Sequence, residues 1–105
     1  KKGKLLGTFY ILHFVHILGF EFLKIGVTSV GVSTRYKSKY KDFKWVELLS
    51  LKMTNLQTAE LERNVLNEFC PDFKMPQGVD FQGRTECYQT NRLSEITEFV
   101  EKTLN

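Results

Sequence analysis

Apolar side chains between Thr8 and Leu18 occupy both parities: Phe9, Ile11 and Val15 on one, Tyr10, Leu12 and Phe14 on the other. A strand with this pattern is covered on both faces. Leu18-Gly19 supplies a turn, and residues 22–28 read as a second strand, so the two predict an antiparallel hairpin. Gly26 inside the second strand marks a bulge or a close backbone approach. The period then changes. Val32, Tyr36, Tyr40 and Phe43 recur at helical spacing and predict a helix over 32–43 with one apolar-aromatic face. Residues 45–53 predict a third strand. Thr54 and Gln57 fit a capping box, so a helix is expected from Leu56 to Phe69, ending before Pro71. Residues 71–84 hold Pro71, Pro76, Gly78 and Gly83 and predict a long irregular segment of the kind that is often functional. A short strand over 86–89 follows. The chain closes with an amphipathic helix over 92–104 that turns Leu93, Ile96, Phe99, Val100 and Leu104 inward. This order implies an α/β (α+β) fold: a small sandwich with a central three-stranded antiparallel sheet flanked by helices.

Composition narrows the class. At 105 residues, with 42% hydrophobic and 26% charged residues, the chain is one globular domain, 1–105, and neither disordered nor collagenous. The longest apolar stretch, from Phe9 to Gly19, is broken by His13 and His16 and falls short of the roughly 20 residues a membrane helix needs. Cys70 and Cys87 are too few for a disulfide framework and are expected as free thiols in a reducing, cytoplasmic setting. The chain begins at Lys1 without a Met, so a piece of a longer protein is expected. Residues 1–52 hold ten Lys and Arg against three acids, and residues 53–105 hold five against nine. A basic half joined to an acidic half points to a polyanion partner.

One carboxylate stands out. On a helix turning about 100° per residue, Glu62 falls inside the arc formed by Leu61, Val65, Phe69 and Leu66, whereas Glu60, Arg63, Asn64 and Asn67 fall opposite. An acid on the core side needs a compensating partner. Two remain open at this level: a structural ion pair with a base such as Arg35, or a metal or acid–base role. His13 and His16 have opposite parity, so they face opposite ways and form no two-His clip. The cysteines lack zinc spacing, and no Walker loop, GxGxxG or GxSxG occurs. From Arg35 to Lys44 five bases interleave with Tyr36, Tyr40 and Phe43. The aromatics fit a core face, and the lysines are candidates for phosphate contact.

Taken in order, these segments resemble the GIY-YIG nuclease superfamily from Thr8 to about Tyr88. Thr8-Phe9-Tyr10 stands in place of the Gly-Ile-Tyr triplet, and Lys24-Ile25-Gly26 in place of Tyr-Ile-Gly. Arg35 follows nine residues after Gly26. Leu61-Glu62, Val65-Leu66, Pro71 and Phe73 resemble the helix with the metal-binding glutamate and its Pro-x-aromatic exit. Gly83-Arg84-Thr85-Glu86-Cys87-Tyr88 resembles the Gly-x-Glu-aromatic ending of a phage and mobile-element branch. The chain departs from the family pattern in the Gly and Ile of the first triplet. It departs again at Lys24, a substitution also carried by active restriction-type members, at Lys39, where His or Tyr is frequent, and at Lys74, where Asn is.

The resemblance implies a metal-dependent endonuclease that hydrolyses DNA phosphodiester bonds. It makes Tyr10, Lys24, Arg35, Tyr40 and Glu62 the catalytic candidates, with Glu62 the protein ligand of one Mg²⁺ or Mn²⁺ ion. Gly26, Lys37, Lys39, Lys41 and Lys74 become candidates for contact with substrate. Tyr10 would position or deprotonate the attacking water, Lys24 would favour its phenolate, and Arg35 would brace the phosphate. Lys24, Arg35, Lys39 and Lys41 are expected around one cleft, with Glu62 facing into it and the other acids merely solvating the outside. No membrane partner is expected, and target choice is expected from a fused or separate DNA-binding domain. The alternative is a degenerate module of the same fold that grips nucleic acid without cutting.

Overall fold

The computed structural model describes residues 6–32, 36, 41–79, 81 and 83–105, and of Arg84 the backbone alone. Its elements are β1 (Leu6–His16), β2 (Glu21–Thr28), β3 (Phe43–Thr54), α1 (Asn55–Glu68), β4 (Cys87–Tyr88) and α2 (Leu93–Leu104). Val32 and Tyr36 have helical backbone. The rest of the expected 32–43 helix, with Arg35, Lys37, Lys39 and Tyr40, lies outside the described residues. That helix does not reach Phe43, which opens β3 after a turn at Lys41 and Asp42.

The sheet is antiparallel in the order β3-β1-β2-β4, four strands rather than three. The fourth is the short strand expected near residue 87. It joins the sheet by pairing Tyr88 with Leu23 and Cys87 with Lys24, a contact that local patterning does not encode. Central β1 is covered on both faces as its mixed parity requires. Tyr10 lies opposite Gly26 and Leu12 opposite Lys24, which sets the even residues of the hairpin on one face.

That face carries an aromatic cluster of Tyr10, Leu12, Phe14, Phe22, Val32, Tyr36, Met75, Phe81 and Cys87. Phe14 stacks on Phe22 at 5.5 Å between ring centroids and meets Phe81 edge-on at 5.0 Å. The odd face carries Phe9, Ile11, Leu23 and Ile25 against Leu61 and Val65 of α1, Ile96 and Val100 of α2, and Tyr88. Both helices therefore cover the odd face.

Local chemistry explains the start of α1. The Thr54 hydroxyl accepts from the Gln57 N–H at 3.1 Å, and the Gln57 side chain accepts from the Thr54 N–H at 3.0 Å, so the expected capping box is formed. In β3 the register slips: Ile11 pairs with Leu49 and Leu12 with Glu47, leaving Leu48 as a bulge. Phe43 and Trp45 consequently pack on the aromatic side and Leu49 and Leu51 on the other, although all four are odd-numbered.

Candidate functional site

Three residues singled out by the resemblance converge on the even face. Gly26 sits opposite Tyr10 in the hairpin. A Cβ at position 26 would lie 2.5 Å from Tyr10 Oη, 2.7 Å from Tyr10 Cζ and 3.2 Å from Lys24 Nζ. The missing side chain is thus what admits the phenol and the ammonium to one point beside the strand. This is the close approach that an interior strand glycine signals.

Both heads are fixed. Tyr10 is fully buried, and its hydroxyl shares a 2.8 Å hydrogen bond with that of Tyr36. The two rings meet edge-on at 6.0 Å. Lys24 is 2% exposed; its ammonium donates to the Ile25 carbonyl at 2.6 Å and to Glu86 Oε1 at 2.9 Å. Burying an ammonium is costly without such partners. Gly83, in the left-handed conformation at φ 81°, lies against the lysine stem: a Cβ there would be 2.8 Å from Lys24 Cε.

Glu62 is not among the residues that converge there. It sits on α1, whose buried residues Thr58, Leu61 and Val65 face the odd side of the sheet. Glu62 itself is half-buried, at the rim of that arc rather than inside it. The rim position follows from the helix phase: Thr58, Leu61 and Val65 centre the buried arc, and Glu62 and Leu66 flank it. Lys41 and Lys74 are exposed, in the turn before β3 and in the irregular segment after α1. Among the described residues β4 pairs with β2 only at Leu23 and Lys24. The β2 edge from Ile25 to Thr28, next to Gly26, is therefore not covered by β4.

Among the described residues no three His, Cys, Asp or Glu converge as a metal cage. Glu62 is a single hard oxygen donor at a half-buried rim. That donor suits an ion which keeps most of its waters and takes its other ligands from substrate oxygens. The histidines are separated as their parity requires. His13 bonds Glu21 at 2.6 Å. On the other face, His16 is buried against Phe20 and Phe43, and its Nδ1 accepts from the Leu18 N–H at 3.0 Å. Both cysteines are free thiols, Cys70 exposed and Cys87 buried.

Two side chains of this cluster are not singled out by local pattern. Helical spacing places Tyr36 in the core; it is buried there, but it also shares a hydrogen bond with the Tyr10 hydroxyl. Glu86, expected with the solvating acids, is the counter-charge of Lys24. The Gly-x-Glu-aromatic pattern contains it, without anything to say which cation it meets.

A separate latch ties the chain's end to the irregular segment. Asp72 accepts from the Gln89 N–H at 3.0 Å and from Arg92 at 3.0 Å. Burial alone would raise the Asp72 carboxyl, but these donors outweigh it and hold it below its ordinary value. Burial pushes the Tyr88 phenol up to about 12, and its hydroxyl donates to the Phe69 carbonyl at 2.5 Å. No helix among the described residues is long and apolar enough to cross a membrane. No family model matches the chain, and no curated protein or solved structure matches it.

Proposed function

We propose that the chain is a metal-dependent endonuclease of GIY-YIG type, hydrolysing DNA phosphodiester bonds in the cytoplasm. The observation that carries this reading is the meeting of the Tyr10 hydroxyl and the Lys24 ammonium around the bare Cα of Gly26. A phenol with an ordinary pKa of about 10 is a poor base at neutral pH unless a cation stabilises its phenolate. A buried, hydrogen-bonded lysine supplies that cation in a fixed place and in a medium of low dielectric. Tyr10 then takes the proton of the attacking water, and Tyr36 orients its hydroxyl. Arg35 clamps the phosphate with its planar fork. Lys41 and Lys74, both exposed, contact the DNA backbone. Glu62 would hold a Mg²⁺ or Mn²⁺ ion, which supplies positive charge for the phosphorane and the leaving oxygen. For Glu62 and the Gly26 cluster to serve one phosphate, that phosphate would lie across the β2 edge beyond Lys24, which β4 does not cover.

The test is plasmid nicking with Mg²⁺. Glu62→Ala and Arg35→Ala are each expected to lower the rate at least about 10²-fold. Normal nicking by Glu62→Ala would remove the metal assignment. A second reading, nucleic-acid binding without cleavage, is favoured by the complete burial of Tyr10. It predicts salt-sensitive DNA binding that is indifferent to chelator and leaves the plasmid unnicked.

A further inference from the structure

We propose that Glu86 is the positioning residue of the site: it holds the Lys24 ammonium beside the Tyr10 hydroxyl. This rests on the nuclease reading for its catalytic consequence and on geometry for the rest. Three contacts from one short segment converge on one residue, Lys24. Cys87 pairs with Lys24 in the sheet, which places the preceding residue next to the lysine. Gly83 lies against the lysine stem. Glu86 Oε1 accepts from Nζ at 2.9 Å.

The segment is shaped to do this. The Glu86 N–H donates to the Gly83 carbonyl at 2.9 Å and closes a 3₁₀ turn over Arg84–Glu86. Gly83 enters that turn with positive φ, and any side chain there would collide with the lysine. An ammonium has three donors. Among the described residues two are engaged, by the Ile25 carbonyl and Glu86. Both bonds come from the β4 side or from β2 itself, so they pin the head in place and leave the third donor for Tyr10 or for a phosphate oxygen. The Glu86 side chain is about one-third exposed whereas that of Lys24 is 3% exposed. The acid thus closes the lysine pocket from outside. A residue 62 positions away in sequence completes a site otherwise built on the hairpin.

A purely structural ion pair would neutralise Lys24 without affecting turnover, and a double-mutant cycle separates the two. Glu86→Ala, Lys24→Met and the double variant are compared by nicking kinetics and by urea unfolding. Glu86→Ala is expected to lower kcat at least about tenfold with KM for DNA within about twofold, the pattern of an interaction used in the transition state. The double variant should be no slower than Lys24→Met alone. Native kcat in Glu86→Ala, or rate losses that multiply in the double variant, would overturn the proposal. In unfolding, Glu86→Ala should lower the midpoint and Lys24→Met should cancel that loss, because no unpaired buried charge remains. Additive unfolding effects would overturn the holding role. A native protein that does not nick would sink the nuclease reading and the catalytic consequence with it, while the unfolding cycle still decides whether Glu86 holds Lys24.

Discussion

The two faces of the sheet share the same strands and are built for different ends. The odd face is aliphatic at its centre, with Ile11, Ile25, Leu61, Val65, Ile96 and Val100 closed under α1 and α2. The even face is aromatic and carries buried polar groups among its rings: Tyr10, Tyr36 and Lys24. Aliphatic side chains gain from burial alone, so most of the odd face needs little but shape, the Tyr88 hydroxyl being met by the Phe69 carbonyl. A phenol or an ammonium gains only where its hydrogen bonds are met, so the even face is specified atom by atom. The aliphatic core and the aromatic core with its buried polar groups are thus separated by a single layer of backbone.

Four changes break or sharpen that comparison. Tyr10→Phe keeps the ring and removes the hydroxyl. Nicking should fall about 10²-fold or more, while unfolding should shift by only about 1 kcal/mol for the bond lost to Tyr36. Full activity in this variant would remove Tyr10 from the mechanism. Ile96→Ala makes the opposite trade. It opens a cavity in the aliphatic face and should cost about 2–5 kcal/mol in urea unfolding, with the specific activity of the folded protein unchanged. A matching loss of activity would mean the faces are not independent.

Gly26→Ala drives a methyl into Tyr10 Oη and Lys24 Nζ. Overpacking of this kind costs about 1–3 kcal/mol, and because the phenol must move, nicking should fall by more than stability does. Equal losses in the two assays would show that the close approach serves packing alone. The smallest effect belongs to the latch at Asp72, which is exposed. Its carboxyl is held below the ordinary value, so its stabilisation is complete above that value and fades as pH falls through the lowered one. Acid unfolding of Asp72→Asn should therefore lack a component that the native chain shows below about pH 4. The two proteins differ at neutral pH by a small, pH-independent amount. Identical acid limbs would contradict the assignment.

The same division governs what could be read from the chain. The hairpin, the capping box of Thr54 and Gln57, and the double-sided cover of β1 follow from patterns within about a dozen residues, and the structure has them all. Tyr10, Lys24 and Gly26 are all even-numbered, and a hairpin register of period two puts such residues on one face. Glu62 was legible as an acid out of place, since helix phase is a local property, although its rim position depends on where the arc is centred.

What sequence determined about this protein, then, is its hairpin, its helices and the even-parity set at Gly26. Tertiary structure alone decided three things. The bulge at Leu48 sends Trp45 and Leu49 to opposite faces, because β3 must follow the twist and register of β1. Cys87–Tyr88 became a fourth strand because the β2 edge offered it partners, not because two residues carry strand propensity. Glu86 meets Lys24 because a buried ammonium needs a counter-charge, and only the folded chain brings one within reach.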